Sequence, residues 1–247
     1  MRNPRLFTDQ LLTPGDRVAL KGSVAQHLGR VLRARAGDNI ALFNGNGQEF
    51  AAEVLTVSKG EVTVDIGAAT TPQTESRVYT TLGLCLSKGD RFDWAIQKAT
   101  ELGVGAIAPL HSERVDFNIP PDRIEKRVAH WQQIAISACE QCGRVKVPSV
   151  TPPQSLAVWV ESVSAEQKWV FHCTEDTGVS ASAMTRGAPQ DAALLIGPEG
   201  GLTDQEFAVA SAKGFQLLQL GPRVLRTETA PAAALSVLSV FWEEMPS

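Results

Sequence analysis

Glu199, Arg223, Arg226 and Glu228 crowd two glycine-bearing stretches near the end of the chain, LLIGPEGGLTDQEF (194–207) and LGPRVLRTETA (220–230). A guanidinium is always charged and donates in a planar fork. Arginines beside glycine-rich loops therefore suit an anionic substrate, or an oxyanion that develops during a reaction. A carboxylate in the same place can take a proton, or hold its loop by accepting backbone N–H bonds. Upstream, EQCGR (140–144) adds Glu140, Gln141 and Arg144 at the predicted end of a long helix. Any one of these arginines alone reads as a surface salt bridge; the cluster is what argues for chemistry.

Other chemistries find less support. No G-x-x-x-x-G-K-[ST] phosphate loop occurs, and GVGAIA (103–108) follows a predicted helix and precedes a strand, the reverse of a dinucleotide-binding turn. Cys139 and Cys142 form a C-x-x-C, to which His172 and Cys173 could add zinc ligands. Without a second such pair, packing is the expected role and no metal is expected. The histidines show no H-E-x-x-H, and no G-x-S-x-G elbow exists, so hydrolysis has nothing to stand on.

The elements that must position the arginines and acids follow from periodicity. AALLIG (192–197) and FQLLQL (215–220) read as apolar strands feeding the two loops. Gly197, Gly200 and Gly201 let backbone approach a ligand, Pro198 stiffens the turn, and Thr203 with Glu206 forms the T-x-x-E box that starts a helix. Earlier strands VYTTLGLCL (78–86), GAIAPL (105–110) and KWVFHC (168–173) alternate with helices at 91–103 and 121–141. Such alternation predicts an α/β fold with a parallel sheet covered on both faces, whose ligands bind beyond the carboxyl ends of the strands. An ordinary strand–turn–helix explains either glycine loop alone, but two in succession favour a ligand.

Residues 1–70 read instead as a small β-rich domain: DRVAL, DNIALF, EFAAEVL and EVTVDI are short strands, with a hairpin at FNGNGQEF (43–50). SVAQHLGRVLR (23–33) predicts one helix, capped by Ser23 and burying Val24, Leu28, Val31 and Leu32. TTPQTES (70–76) is polar and reads as a linker, which separates domains at 1–70 and 77–247.

The net charge of −4 argues, on average, against a nucleic-acid partner, yet the first 35 residues carry Arg2, Arg5, Arg17, Lys21, Arg30, Arg33 and Arg35 against only Asp9 and Asp16. Phosphate contacts need only a local patch, although a charge run is more often a solvated face. MRNPRLFTDQLL lacks the apolar core of a secretory signal, and the longest uncharged apolar stretch, 229–242, is too short to span a bilayer. Four cysteines then read as reduced thiols, and a cytoplasmic protein without a membrane partner is expected.

IGPEGGLTDQE followed by LGPRVLRTETA closely resembles the paired signature of the RsmE family of ribosomal RNA methyltransferases, within the SPOUT superfamily. The resemblance continues through RNPRLF, HLGRVLRARAGD, KGDRFDWAIQKATELGV, HSERV and EQCGRVKVP in order, over nearly the whole chain; Val145-Lys146 is a minor departure. It implies an N-terminal PUA-like RNA-binding domain and a C-terminal SPOUT domain with a deep trefoil knot, a feature no periodicity would predict. It further implies a homodimer that uses S-adenosyl-L-methionine to methylate N3 of one uridine in 16S rRNA of the small ribosomal subunit.

Carried onto this chain, the resemblance places the cofactor against Leu195, Ile196, Gly197, Pro198, Gly200 and Gly201, and against Leu220, Gly221, Val224, Leu225 and Arg226. There the glycines would leave room for the adenine and methionine portions. Arg226 and Arg144 are expected to stabilise the uracil anion, and Glu199 is the first candidate base. RNA contacts are expected from Arg2, Arg5, Arg17, Lys21, Arg30, Arg33 and Gln141, with Lys88 and Arg91 lining the approach. A non-catalytic RNA-binding assembly factor and a SPOUT ribose 2′-O-methyltransferase are the alternatives; phosphoryl transfer is the poorest reading.

Overall fold

The computed structural model of the chain describes residues 3–171, 179–180 and 187–243. The chain folds as two compact units: Met1–Glu75 with Cys139–Val147, and Ser76–Ala138 with Pro148–Ser247.

The first unit is built on β1 (Arg5–Phe7), β2 (Arg17–Lys21), β3 (Asn39–Phe43), β4 (Glu49–Ser58) and β5 (Glu61–Thr70), in the sheet order β1-β3-β4-β5-β2. All pairings are antiparallel except β1 with β3. Alternation along β4 and β5 turns Phe50, Ala52, Val54, Val62, Val64 and Ile66 inward onto Leu20 and Leu42. The β3–β4 hairpin is held by two successive Asx turns. Asn44 Oδ1 accepts from Asn46 N at 3.3 Å, and Asn46 Oδ1 accepts from Gln48 N at 2.9 Å.

The expected helix over 23–33 is broken. Only α1 (Gly22–Gln26) is α-helical, and His27–Val31 forms a π-helical turn in which Leu32 N reaches back to His27 O. The wider turn rotates later side chains off the apolar stripe. Ala25 and Leu28 are buried, whereas Val31 is 67% and Leu32 40% exposed. The N-cap is Lys21, not Ser23, and it makes no side-chain cap bond. Nor is the polar stretch before residue 76 a free linker. Thr74 donates to Gly143 O at 3.1 Å, and the Glu75 carboxylate accepts from Val145 N and Lys146 N at 2.9 and 3.0 Å.

The second unit is a parallel sheet of β6 (Tyr79–Cys85), β7 (Ala106–His111), β8 (Ser149–Val150), β9 (Gln154–Ser155), β10 (Gln167–Phe171), β11 (Val179–Ser180), β12 (Asp191–Ile196) and β13 (Gln216–Gln219). The order is β11-β13-β10-β12-β6-β7-β8, with β9 also on β7. Its helices are α2 (Arg91–Glu101), α4 (Leu156–Ser162), α5 (Asp204–Ala212) and α6 (Thr229–Phe241); α3 (Ile124–Cys142) contributes all but its last turn. Leu110, Val170, Ala193 and Leu195 of the strands pack with Leu156, Trp159, Ala210 and Phe215 in one apolar core. Gly83 of β6 lies flat under Trp159, where a Cβ would come within 2.5 Å of the indole ring. The short elements β1, β8, β9 and α4 are additions to the expected order.

Because the strands run parallel, the carboxyl ends of β6, β7, β10, β12 and β13 all lie at one end of the sheet, the usual place for a ligand in an open α/β sheet.

Candidate functional site

Two cavities open at that carboxyl end. The smaller, about 670 Å³, is lined by Phe171 at the end of β10, Ile196–Leu202 after β12, and Val224–Thr227 after β13. The larger, about 1220 Å³, is lined by Leu86 and Lys88–Arg91 after β6, Glu113–Phe117 after β7, Trp94 of α2, and Glu228 with Thr229 at the start of α6. Arg91, Arg114, Glu199 and Gly200 line both.

The loop after β12 is braced from several sides. Thr203 Oγ1 accepts from Glu206 N at 3.2 Å and the Glu206 carboxylate accepts from Thr203 N at 2.9 Å, so the expected capping box is present. The other Glu206 oxygen accepts from Glu113 N at 2.9 Å, which ties in the segment after β7. Arg114 Nη1 donates to Gly200 O at 2.7 Å and to Leu202 O at 3.3 Å.

The glycines also fit this bracing closely. A Cβ on Gly197 would stand 3.1 Å from Leu202 Cγ, and one on Gly200 would stand 3.3 Å from Arg114 Cβ. Gly201 adopts φ +71°, where an L side chain is strained.

The two loops expected to act together do share one cavity: Ile196, Gly197, Pro198, Gly200, Gly201, Val224, Leu225 and Arg226 all line it. Leu195 does not; it is fully buried and packs into the core, because strand alternation sends it to the sheet face. Leu220 and Gly221 precede the lining segment. Arg226 holds the start of α6 through its carbonyl, which accepts from Thr229 N and Ala230 N at 2.9 and 3.0 Å. Its exposed guanidinium has no ion-pair partner among the described residues.

Glu199 is paired with Arg91 at 2.9 Å, and this pair stands between the two cavities. One oxygen of Glu228 is buried without a hydrogen-bond donor among the described residues. Arg114, Phe171, Leu202, Asp204, Thr227 and the half-exposed Trp94 are lining residues that the sequence reading did not single out as site residues. HSERV and RFDWAIQ were visible as blocks, but nothing in their periodicity marks Arg114 or Trp94 as facing a cavity.

Two arginines are corrected. Arg5 is not an RNA-facing side chain: it is 5% exposed, pairs with Glu49, and stacks over the Phe43 ring at 4.9 Å. Its guanidinium donates to the carbonyls of Cys139, Glu140 and Arg144 at 2.7, 3.1 and 3.1 Å, closing the C-terminal turn of α3. Arg144 is not presented as an oxyanion donor either. It lies in the first unit with its side chain 6% exposed, and its Nε and Nη2 donate to Glu75 Oε2 at 3.0 and 2.8 Å.

The remaining basic candidates divide by partner. Arg17 and Lys21 are exposed but matched across β2 and β5 by Asp65 at 2.8 Å and Glu61 at 3.5 Å. The hydrogen bond between Arg17 and Asp65 raises the arginine pKa and lowers that of the carboxyl. Lys88 faces Asp116 at 3.5 Å. Arg30, Arg33 and Gln141 are exposed, and Arg2 lies outside the described residues.

Cys139 is buried against Phe43 and Val145, and burial pushes its thiol up to about 12. That is poor preparation for a metal-binding thiolate. His172 and Cys173 lie outside the described residues.

Comparison with known proteins fits this geometry. Residues 74–239 match the model of an RNA methyltransferase domain, and residues 20–67 match that of an RNA methyltransferase PUA domain. The chain is 32% identical to ribosomal RNA small subunit methyltransferase E of Buchnera aphidicola over 99% of its own length and 98% of the relative's. It is 33% identical to the Bacillus subtilis protein of the same name, over 94% and 93%.

A structure of ribosomal RNA small subunit methyltransferase E from Neisseria gonorrhoeae bound to S-adenosyl methionine superposes with a TM-score of 0.90, at 37% identity over 98% of both chains. A methyltransferase from Legionella pneumophila with the bound cofactor superposes at 0.92, with 38% identity over 97% and 98%. The chain therefore belongs to the RNA methyltransferase family of ribosomal RNA small subunit methyltransferase E, with an N-terminal PUA domain ahead of its α/β domain.

Proposed function

We propose that the protein transfers a methyl group from S-adenosylmethionine to N3 of a uridine in 16S rRNA. The observation that carries this reading is the convergence of the loops after β12 and β13 on one cavity of about 670 Å³, inside the range of about 300–1,000 Å³ usual for small-molecule sites. Apolar Ile196, Leu202, Val224 and Leu225, exposed loop backbone and the Thr227 hydroxyl are the donor and contact types that an adenosine and a methionine chain need. The relatives with bound cofactor support the same assignment. Family resemblance supports, in addition, a trefoil knot at these loops, a homodimer and a cytoplasmic setting.

The cofactor supplies a sulfonium methyl; the chain must supply a reactive nitrogen. Uracil N3 carries a proton and is a poor nucleophile until it leaves, and the resulting charge spreads onto the flanking carbonyl oxygens. Arg226, without an acid to neutralise it among the described residues, donates to one of those oxygens. Among the carboxylates lining the larger cavity, Glu199 and Glu228 are the candidates to take the proton. Glu199 would do so from its pair with Arg91, which keeps the carboxylate oriented, whereas Glu228 lines the same cavity with one oxygen buried and without a donor among the described residues. Trp94 offers a ring face on which a base can stack.

Incubation of the protein with S-adenosylmethionine and unmodified 16S rRNA or small subunits, followed by nuclease digestion and mass spectrometry, is expected to yield 3-methyluridine. A 2′-O-methylated nucleoside, or no methylated nucleoside from either substrate, contradicts the reading.

A further inference from the structure

We propose that Arg123, which ends the 3-10 turn Pro121–Arg123 leading into α3, together with Lys126, Arg127 and His130 of the first two turns of α3, forms a docking surface for the sugar–phosphate backbone of the RNA. This rests on the reading of the substrate as RNA but concerns a surface outside the catalytic cavities. Spacings of three, four and seven residues put the four side chains on one helical face, and all four are exposed. Together with Phe117, Asn118, Ile119 and Pro120 they line a groove of about 650 Å³ to which no carboxylate contributes.

Charge pairing separates this stripe from several of the other basic residues. Arg17, Lys21, Lys88 and Arg91 each face an acid within 4 Å, and Arg5 is buried. Among the described residues, Arg123, Lys126 and Arg127 have no carboxylate at that distance, and Arg127 lies over the Trp131 ring at 5.8 Å. Asp93 is the acid that reaches the stripe. It holds His130 Nε2 at 2.7 Å and accepts from Trp131 Nε1 at 3.2 Å, at the end remote from Arg123.

Position supplies the second argument. Phe117 lines both this groove and the larger cavity that contains Trp94, so the segment after β7 passes directly from one to the other. A strand whose base enters the larger cavity therefore continues along the cations, which hold its phosphates without reading its sequence. A protein partner with an acidic surface would meet the same charges, but only an RNA strand explains the continuity with the cavity.

The test is the double variant Arg123→Glu/Arg127→Glu, with Arg123→Gln/Arg127→Gln beside it, in the full chain. Binding to naked 16S rRNA is measured against salt concentration. Each phosphate contact contributes roughly 0.7–0.9 to the slope of log K against log salt, so losing two should flatten it by about 1.5. The Gln pair should show the same flattening with weaker loss of affinity. The KM for RNA should rise in both, while S-adenosylmethionine affinity and kcat stay within about twofold.

An unchanged slope and RNA affinity overturns the proposal. So does a defect seen only with assembled subunits and not with naked rRNA, which would assign the surface to a protein. Wild-type protein that binds rRNA with the full slope but methylates nothing would sink the enzymatic reading and leave this surface standing.

Discussion

Replacing Arg226 by Ala lowers the methylation rate on the order of 10²–10³-fold, the loss typical of removing one donor from a developing oxyanion. The side chain is exposed at the cavity wall with no acid paired to it among the described residues, so its removal strands no buried partner there and stability should hold. S-adenosylmethionine affinity should change by much less than kcat, because Ile196, Leu202, Val224 and Leu225 supply the apolar contacts. Arg226→Lys should restore part of the rate, since a point charge replaces the fork without its geometry. Single-turnover methylation beside calorimetric titration separates the two effects. A kcat equal to wild type in Arg226→Ala would remove this residue from the chemistry.

The second large effect is on folding. Arg144→Ala should destabilise the protein by about 3–5 kcal/mol, because it leaves the Glu75 carboxylate poorly solvated with its strongest donor gone. Urea or thermal unfolding reads this directly. Glu75→Ala should cost a comparable amount, since it takes the carboxylate away from the Arg144 guanidinium and from Val145 N and Lys146 N. Replacing both residues by Met should be milder than either single truncation. A variant at Arg144 that unfolds like wild type but turns over slowly would return this residue to the catalytic account.

Both predictions turn on what could and could not be read from residue order. Strands and helices with clear periods, such as α2, α3 and β12, were legible because an amphipathic stripe or an apolar run has one stable place in an α/β sheet. The Thr203–Glu206 box was legible because its chemistry is local. The helix expected at 23–33 fails because a single π turn re-aims everything after it, and no residue type announces such a turn. Arginine roles were the least legible. Arg5, Arg144 and Arg226 are the same residue in similar company, yet one closes a helix end, one neutralises a half-buried carboxylate, and one is left to meet a ligand.

The glycine loops show a subtler gap. Their position beyond the strands followed from topology, and their convergence on one cavity agrees with the family resemblance. Room for a ligand is an incomplete reason for Gly197 and Gly200: Leu202 and Arg114 would crowd a Cβ there. Trp94 and Arg114 come from segments distant in sequence, and only the fold brings them to the same wall.

A crystal structure with S-adenosylmethionine soaked in tests the central claim most directly. The account predicts its density in the cavity between residues 196–202 and 224–227, in contact with the backbone of both loops. Density in the larger cavity beside Trp94, or anywhere away from these loops, would contradict it.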